Sequence, residues 1–348
     1  MRMRADGIVA GRRIAPLVVA GLLVAIAVSP VSAAGVDRRH PDQACRSLPP
    51  VVDTAAPSLH PEGVAYDPTR NAFLVSSVRH GTVSIVHGDG RVRTLVSHPQ
   101  MVSTLGIRVD TARNRLLVAY ADLGVGERST PETTMTLSGV GIFELNTGRL
   151  RQLVDLAAVA GPGLHAANDL TIAPDGTAYV TDPLSDALLH IDVRGRASVL
   201  VRDPRFHDAS IPTSFGLNGI VWHPRGYLLA VKSWGGELFR VSTGSHPQVR
   251  QVSTDQPIHN GDGLLLRRDG TLLAVTNPLG PEGISAVRVL RSHNQWASAR
   301  TINLLPWADP APTTAAATPC GDYVLYGSLD ILFGSSLSDR FVIRRVAV

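Results

Sequence analysis

The stretch NGIVWHPRGYLLAVK, residues 218–232, contains two short apolar runs separated by a turn with Pro and Gly, which predicts a β-hairpin. Five further copies of this pattern occur, and successive copies begin 43 to 63 residues apart. The copies are EGVAYDPTRNAFLVSS from Glu62, LGIRVDTARNRLLVAY from Leu105, NDLTIAPDGTAYVTD from Asn168, DGLLLRRDGTLLAVT from Asp262 and TTAAATPCGDYVLYG from Thr313. Repeats of this length are typical of β-propeller blades, which have about 40–50 residues. We therefore predict an all-β fold, a six-bladed β-propeller with four-stranded blades over residues 58–348.

The first 34 residues differ from the rest of the chain. Four arginines precede an apolar run at residues 15–28, and Val31-Ser32-Ala33 offers a cleavage site, so residues 1–34 are predicted to be a signal peptide. An uncleaved anchor is the alternative, although the run is short for a membrane span. We expect an exported protein, secreted or held at a bacterial cell envelope, with no stable membrane insertion after cleavage.

Composition narrows the possible partners. The net charge of +4 includes +3 from residues 1–34, so the remainder carries +1. Lys232 is the single lysine, and the sequence shows no arginine cluster of the kind that follows a phosphate backbone. We expect no nucleic-acid partner, a small-molecule substrate and a monomer. Residues 35–57 are polar and are predicted to be a lead-in that packs along the last blade, whose outermost strand is predicted at residues 341–348.

The chain has two cysteines, Cys45 before the first repeat and Cys320 inside the last. Disulfides persist in exported proteins, and the first and last blades of a closed propeller are neighbours. A disulfide between the two residues would close the ring, and two unpaired buried thiols are the alternative.

The residues that open the repeats predict a metal site. First strands line the channel of a propeller, so Glu62, Asn168, Asn218 and Asp262 are expected to meet at one mouth. Their carboxylate and amide oxygens suit Ca²⁺, or another divalent cation, and leave coordination positions for water and substrate. The alternative is that Asn and Asp open these strands for backbone reasons, as in turns.

These four positions resemble the senescence marker protein/gluconolactonase/luciferin-regenerating enzyme family, and more distantly diisopropyl fluorophosphatase and the paraoxonases. The resemblance extends over all six repeats and implies Ca²⁺ in the channel with hydrolysis of lactones or phosphotriesters at the metal. The paraoxonases also link the two ends of their ring by a disulfide, as Cys45 and Cys320 would. Two positions depart from these patterns, since Ala166 replaces an arginine of the sugar-lactone members and Leu105 replaces a catalytic histidine of the paraoxonases.

We therefore predict a secreted calcium-dependent lactonase or esterase, in which Asp262 is the base or the nucleophile. The alternative is a non-catalytic propeller that uses calcium for stability and binds a ligand or a protein. Several residues are predicted to lie at the channel mouth and to contact substrate: Trp234, Asp182, His80, His165 and His259. The polar loop at residues 122–139 is interpreted as either a lid or a disordered insertion.

Overall fold

The six predicted hairpins are confirmed in the computed structural model, which describes residues 48–347. Within that range the strands are β1 (Val51–Ala55), β2 (Val64–Asp67), β3 (Ala72–Val75), β4 (Thr82–Val86), β5 (Val92–Ser97), β6 (Ser103–Asp110), β7 (Arg115–Ala121), β8 (Ser138–Glu144), β9 (Leu150–Asp155), β10 (Leu170–Ile172), β11 (Ala178–Thr181), β12 (Ala187–Ile191), β13 (Ala197–Arg202), β14 (Leu217–His223), β15 (Tyr227–Lys232), β16 (Leu238–Ser242), β17 (Val249–Thr254), β18 (Gly261–Leu266), β19 (Leu272–Thr276), β20 (Ala286–Arg291), β21 (Ser298–Pro306), β22 (Pro312–Thr318), β23 (Gly321–Tyr326) and β24 (Arg340–Arg345). The helices are a 3₁₀ turn at Thr111–Arg113, α1 (Ala157–Ala160) and α2 (Leu329–Phe333).

Each repeat hairpin turns through a residue with positive φ, which favours Gly or Asn because other side chains collide with the backbone there. The residues are Asn71, Asn114, Gly176, Gly226, Gly270 and Gly321. These residues occupy equivalent places in the six copies, so the repeated sequence pattern has a local physical cause.

The strands form antiparallel sheets of four. Three of them follow chain order: β2 to β5, β6 to β9 and β10 to β13. A further sheet has the order β1, β24, β23, β22. The runs β14 to β17 and β18 to β21 join into one eight-stranded sheet, because their edge strands β17 and β21 pair in parallel at two positions. This arrangement is all-β and of the propeller type.

The last sheet corrects one prediction about the end of the chain. Residues 341–348 were expected to supply its outermost strand, but β24 is its third strand and β1 is the fourth, with Val51 opposite Arg344 and Ala55 opposite Arg340. Sequence alone did not reveal this because the closing strand comes from the opposite end of the chain. The described part of the predicted lead-in therefore completes the last sheet.

The hydrophobic core lies between neighbouring sheets. Separate clusters join β2–β5 to β6–β9, β6–β9 to β10–β13, β10–β13 to β14–β17, β14–β17 to β18–β21, and β18–β21 to β22–β24. A sixth cluster, which includes Phe73, Tyr323 and Phe341, joins the last sheet to the first. The inter-sheet packing is therefore continuous around the molecule, as expected when each sheet buries both faces.

Two predictions lie outside the described residues, the signal peptide at residues 1–34 and the cysteine at position 45. In residues 48–347 no helix is long and apolar enough to cross a membrane.

Candidate functional site

One cavity of about 290 Å³ brings together the four predicted metal ligands. Glu62 and Asn168 lie just before β2 and β10, whereas Asn218 and Asp262 are the second residues of β14 and β18. The same end of these four first strands therefore faces the cavity. All four residues are buried, and they line the cavity although up to 200 residues separate them in the sequence.

The first strands approach closely because a glycine follows the repeat-opening residue in four copies. A Cβ atom on Gly63 would lie 2.2 Å from the carbonyl oxygen of Leu105, and one on Gly219 would lie 2.1 Å from that of Asp262. Such distances are far below van der Waals contact, so a side chain at either position would push the strands apart. The glycines therefore keep the cavity narrow at its floor, which is the end lined by Glu62, Asn168, Asn218 and Asp262.

Hydrogen bonds fix the carboxylate of Asp262. The amide nitrogen of Asn277 donates to Asp262 Oδ2 at 2.6 Å and to the carbonyl oxygen of Pro312 at 3.0 Å, while Leu279 N donates to Asn277 Oδ1 at 3.1 Å. Burial raises the pKa of Asp262 to about 7; hydrogen bonds from Asn277 and Asn218 oppose this rise, and the charge of Asp169 adds to it. Asp262 is thus oriented by Asn277 and poorly solvated.

Glu62 shares this electrostatic environment. Burial holds its pKa well above the usual range, and the charges of Asp262 and Asp169 raise it further. A positive charge placed between the carboxylates of Glu62 and Asp262 would offset the cost of burying them in their ionised form and would reduce their mutual repulsion.

Beside the predicted ligands lies a partly buried ion pair that the sequence did not predict. Arg108 Nη2 lies 3.0 Å from Asp169 Oδ1 and donates to Asp169 Oδ2 at 3.1 Å, and the backbone nitrogens of Leu170 and Ile220 donate to the same carboxylate. Asp169 occupies the place that Gly holds in four other copies, and this departure was the signal that could have identified it. The pair leaves Glu62 and Asp262 as the two carboxylates without an arginine partner.

Two buried oxygens test whether the site fits a cation. Glu62 Oε2 and Asn168 Oδ1 accept no hydrogen bond from any described residue. No group of three or more His, Cys, Asp and Glu side chains in residues 48–347 is placed to hold a metal, so a cation here would need the amide oxygens as well. Unsatisfied buried acceptors beside the Asp262 carboxylate fit part of the oxygen set that a hard divalent cation takes.

Apolar side chains form the wall above this polar floor. They comprise Val78, Leu105, Leu123, Met135, Phe215, Trp234, Leu279, Leu329 and Phe333, of which Leu105 lies in β6, Leu329 and Phe333 lie in α2, and the rest lie in loops. Trp234 was predicted to form such a wall, and it lines the cavity. Apart from Leu105, which opens a repeat, the others lie in loops and in α2, whose conformations the repeat pattern does not specify.

The polar loop after β7 is part of this wall. Asp122 is buried, and its carboxylate accepts hydrogen bonds from Gly124 N, Ser129 and Thr133. The loop therefore folds around Asp122 and contributes Leu123 and Met135 to the cavity, which contradicts its interpretation as a disordered insertion.

None of the histidines in residues 48–347 lines the cavity, so their predicted contact with substrate stays a prediction. His80 lies 3.0 Å from Glu127, and His259 lies 3.3 Å from Glu282. Both are held by carboxylates of neighbouring loops.

His165 and Asp182 likewise form a buried structural pair rather than a part of the cavity wall. His165 Nδ1 and Asp182 Oδ2 are 2.7 Å apart, and His165 Nε2 lies 2.8 Å from the carbonyl oxygen of Gly161. Asp182 also accepts a hydrogen bond from Ala166 N at 2.9 Å. The pair anchors the segment that leads to Asn168.

The fold and the site define a β-propeller with a polar-floored central cavity. The sequence matches no protein-family model and no curated protein. Solved structures with the same fold include the major allergen Mala s 1 of Malassezia sympodialis, with a TM-score of 0.67 and 15% identity over 86% of this chain and 97% of that chain. A gluconolactonase from Xanthomonas campestris has a TM-score of 0.55 and 15% identity over 83% of this chain and 86% of that chain. Luciferin-regenerating enzyme has a TM-score of 0.57 and 12% identity over 86% of this chain and 96% of that chain. The predicted resemblance is thus confirmed at the level of the fold.

Proposed function

We propose that the protein is a six-bladed β-propeller that hydrolyses a lactone or ester with an apolar substituent at a Ca²⁺ ion in the central cavity. Counting the eight-stranded sheet as two blades gives six units. The continuous ring of inter-sheet clusters supports this count. One observation carries the functional proposal: a floor of acids and amides lies beneath an apolar wall in a single cavity.

Charge supports a divalent cation. Glu62, Asp169 and Asp262 carry three negative charges when ionised, and Arg108 supplies one positive charge. The remaining charge of −2 equals what one Ca²⁺ neutralises, and Glu62, Asn168, Asn218 and Asp262 would hold it. When bound, the cation would act as a Lewis acid that polarises a carbonyl oxygen. Another divalent cation would be neutralised equally well.

The chain's own residues supply the remaining chemistry. Asn277 orients Asp262, which would either take a proton from the attacking water or attack the acyl carbon itself. The apolar wall would exclude bulk water and bind the substituent of the substrate. A polyhydroxylated sugar lactone would leave its hydroxyl groups facing Leu105, Phe215 and Leu279, without hydrogen-bond partners. We therefore favour an apolar substrate.

The test is a substrate panel assayed with Ca²⁺ and with chelator. It comprises an alkyl-substituted lactone, an aryl ester, a phosphotriester and a sugar lactone. We expect turnover of the apolar lactone or aryl ester, loss of it with chelator and recovery when Ca²⁺ is restored. Preference for the sugar lactone, or turnover unaffected by chelation, would contradict the proposal.

A second candidate is a non-catalytic propeller that binds an apolar ligand in the same cavity. It is favoured by the composition of the wall, where no described histidine, cysteine or lysine is available for acid–base chemistry. Ca²⁺ binding and ligand binding with no turnover on the whole panel would support this candidate.

Export and ring closure complete the proposal. We propose that residues 1–34 are removed on secretion and that Cys45 and Cys320 form a disulfide. Leu48, three residues after Cys45, packs in the same cluster as Cys320, and Tyr323 donates to the carbonyl oxygens of Leu48 and Pro49. Mass spectrometry of the unreduced secreted protein should show the linked peptides, and two separate thiols would contradict the disulfide.

A further inference from the structure

A second site lies at the opposite end of the strands from the cavity. β14 and β18 each begin at the cavity and end at a groove of about 840 Å³, which is lined by the turns after these two strands and by the loop between β20 and β21. The lining includes Arg225 and Arg268 from the turns and Arg291 from the loop. Residues from two neighbouring sheet units thus converge on one concave surface.

The three arginines are exposed and form no ion pair with any described residue. Asp269 is the one carboxylate among the lining residues, and it is occupied by hydrogen bonds from Thr271. Three guanidinium groups beside one carboxylate leave a net positive charge in the groove. Repulsion between them would be relieved by an anionic ligand.

Two further groups offer hydrogen-bond donors at this groove. Arg225 N donates to His223 Nδ1 at 3.2 Å, so the proton of neutral His223 lies on Nε2. Burial and the charges of Arg225 and Arg240 lower the pKa of His223, which keeps it neutral. Tyr227 is 2% exposed, and its buried hydroxyl has no hydrogen-bond partner in residues 48–347.

Tyr227 is held rigidly between charged and aromatic neighbours. The His223 ring stacks on it at 4.3 Å and 8°, and the Arg240 guanidinium lies 4.1 Å from its ring centroid. Arg240 adds a fourth positive charge beside the groove. These contacts hold the Tyr227 ring in place, so its hydroxyl costs little to order when a ligand binds.

We propose that this groove binds a soluble ligand carrying two or more phosphate groups. Guanidinium forks match phosphate oxygens in geometry and charge, and several forks in one groove favour several phosphates. The rings of Tyr227 and Trp296 are buried and offer no face on which nucleobases could stack. None of the large apolar residues exposed in residues 48–347 lines the groove, which argues against a membrane surface.

The experiment is calorimetric titration with tripolyphosphate, at low and high salt, in buffer free of divalent ions because polyphosphate chelates them. Wild-type protein should bind one equivalent saturably, and more tightly than inorganic phosphate. Combining Arg225→Gln, Arg268→Gln and Arg291→Gln should weaken binding by roughly 10- to 100-fold. Tyr227→Phe should weaken binding by a few-fold without lowering the melting temperature, because the lost hydroxyl has no partner to leave unsatisfied.

The matched control combines Arg93→Gln, Arg194→Gln and Arg250→Gln, three exposed arginines outside the groove. The control removes the same net charge and should change the affinity by less than about two-fold. If both triple variants lose the same affinity for tripolyphosphate, binding depends on the net charge of the protein and not on the groove, and the proposal is overturned. Unsaturable binding, or binding to anionic phospholipid vesicles but not to tripolyphosphate, would also overturn it. The lactonase assay plays no part in this test, so its outcome does not depend on the proposed function.

Discussion

Asp262 is 8% exposed at the floor of the cavity, with one carboxylate oxygen bonded to Asn277 and with Asn218 beside it. Glu62 approaches the same space from a repeat 200 residues earlier. Neither carboxylate has an arginine partner of the kind that Arg108 gives Asp169. The proposed chemistry therefore depends on a cation between them.

Asp262→Asn keeps the shape of the side chain and removes its charge. We expect weaker Ca²⁺ binding and a loss of at least about 100-fold in kcat/KM, because both the proposed ligand and the base are lost. Calorimetry with Ca²⁺ and the substrate panel measure the two effects. Asp89→Asn, at an exposed turn, is the control and should change neither. Full activity in the Asp262 variant would exclude this residue from the reaction.

His165 makes stability depend on pH. Its two ring nitrogens face Asp182 and the Gly161 carbonyl, and the hydrogen bond to Asp182 raises the pKa above 6.5, against the opposing effect of burial. A raised histidine pKa stabilises the fold fully below pH 6.5 and loses that contribution as pH rises through the folded-state value.

We therefore predict that urea unfolding at about pH 6 and about pH 9 will show a smaller pH-dependent loss for His165→Gln than for wild type. His246→Gln, an exposed histidine, is the control and should behave as wild type. An unchanged pH dependence in the His165 variant would show that this pair does not carry the effect.

At the scale of elements, the loops above the cavity determine what binds. α2 carries Phe333, which lines the cavity and is 44% exposed, and the loop around Asp122 supplies Leu123 and Met135. These short elements pack on Val78, Leu105 and one another rather than within a sheet. They can therefore change without altering the blades, as expected for specificity loops on a rigid scaffold.

Phe333→Ser should lower kcat/KM for a long-chain ester by roughly 5-fold while changing that for an acetate ester little, because the lost contact is with the apolar substituent. The measurement is the ratio of the two specificity constants. Leu337→Ser is the matched control, since Leu337 is 57% exposed, follows α2 and does not line the cavity. Equal effects on both esters would place the substituent elsewhere.

At the scale of the whole molecule, the ring is closed by β1, which pairs with β24 and comes from the other end of the chain. Val52 is 2% exposed in the cluster that joins the first and last sheets. Closure therefore rests on both backbone pairing and apolar burial.

Val52→Asp would bury an unpaired carboxylate at this junction. We expect the free energy of unfolding to fall by about 3 kcal/mol, with a matching drop in the midpoint of urea unfolding. Ala55→Asp lies on the same strand at an exposed position and should cost far less. If the two variants are equally stable, β1 does not hold the ring closed.

The six hairpins, their order and the four residues that open them on the cavity all follow from the amino-acid pattern. These features depend on local rules: apolar runs favour strands, Gly or Asn accepts the positive φ of each turn, and glycine permits the close approach of first strands. Because every repeat obeys the same rules, equivalent positions such as Asn168 and Asn218 come together without further information.

The folded molecule alone fixed the partner of β24, most of the apolar wall, the pairing of His165 with Asp182 away from the cavity, and the convergence of Arg225, Arg268 and Arg291. Each of these depends on contacts between segments that are distant in sequence and that no local pattern specifies. An arginine in one turn carries no information about which turn of the neighbouring sheet will face it. Packing between sheets supplies that information, and it does so only once the chain is folded.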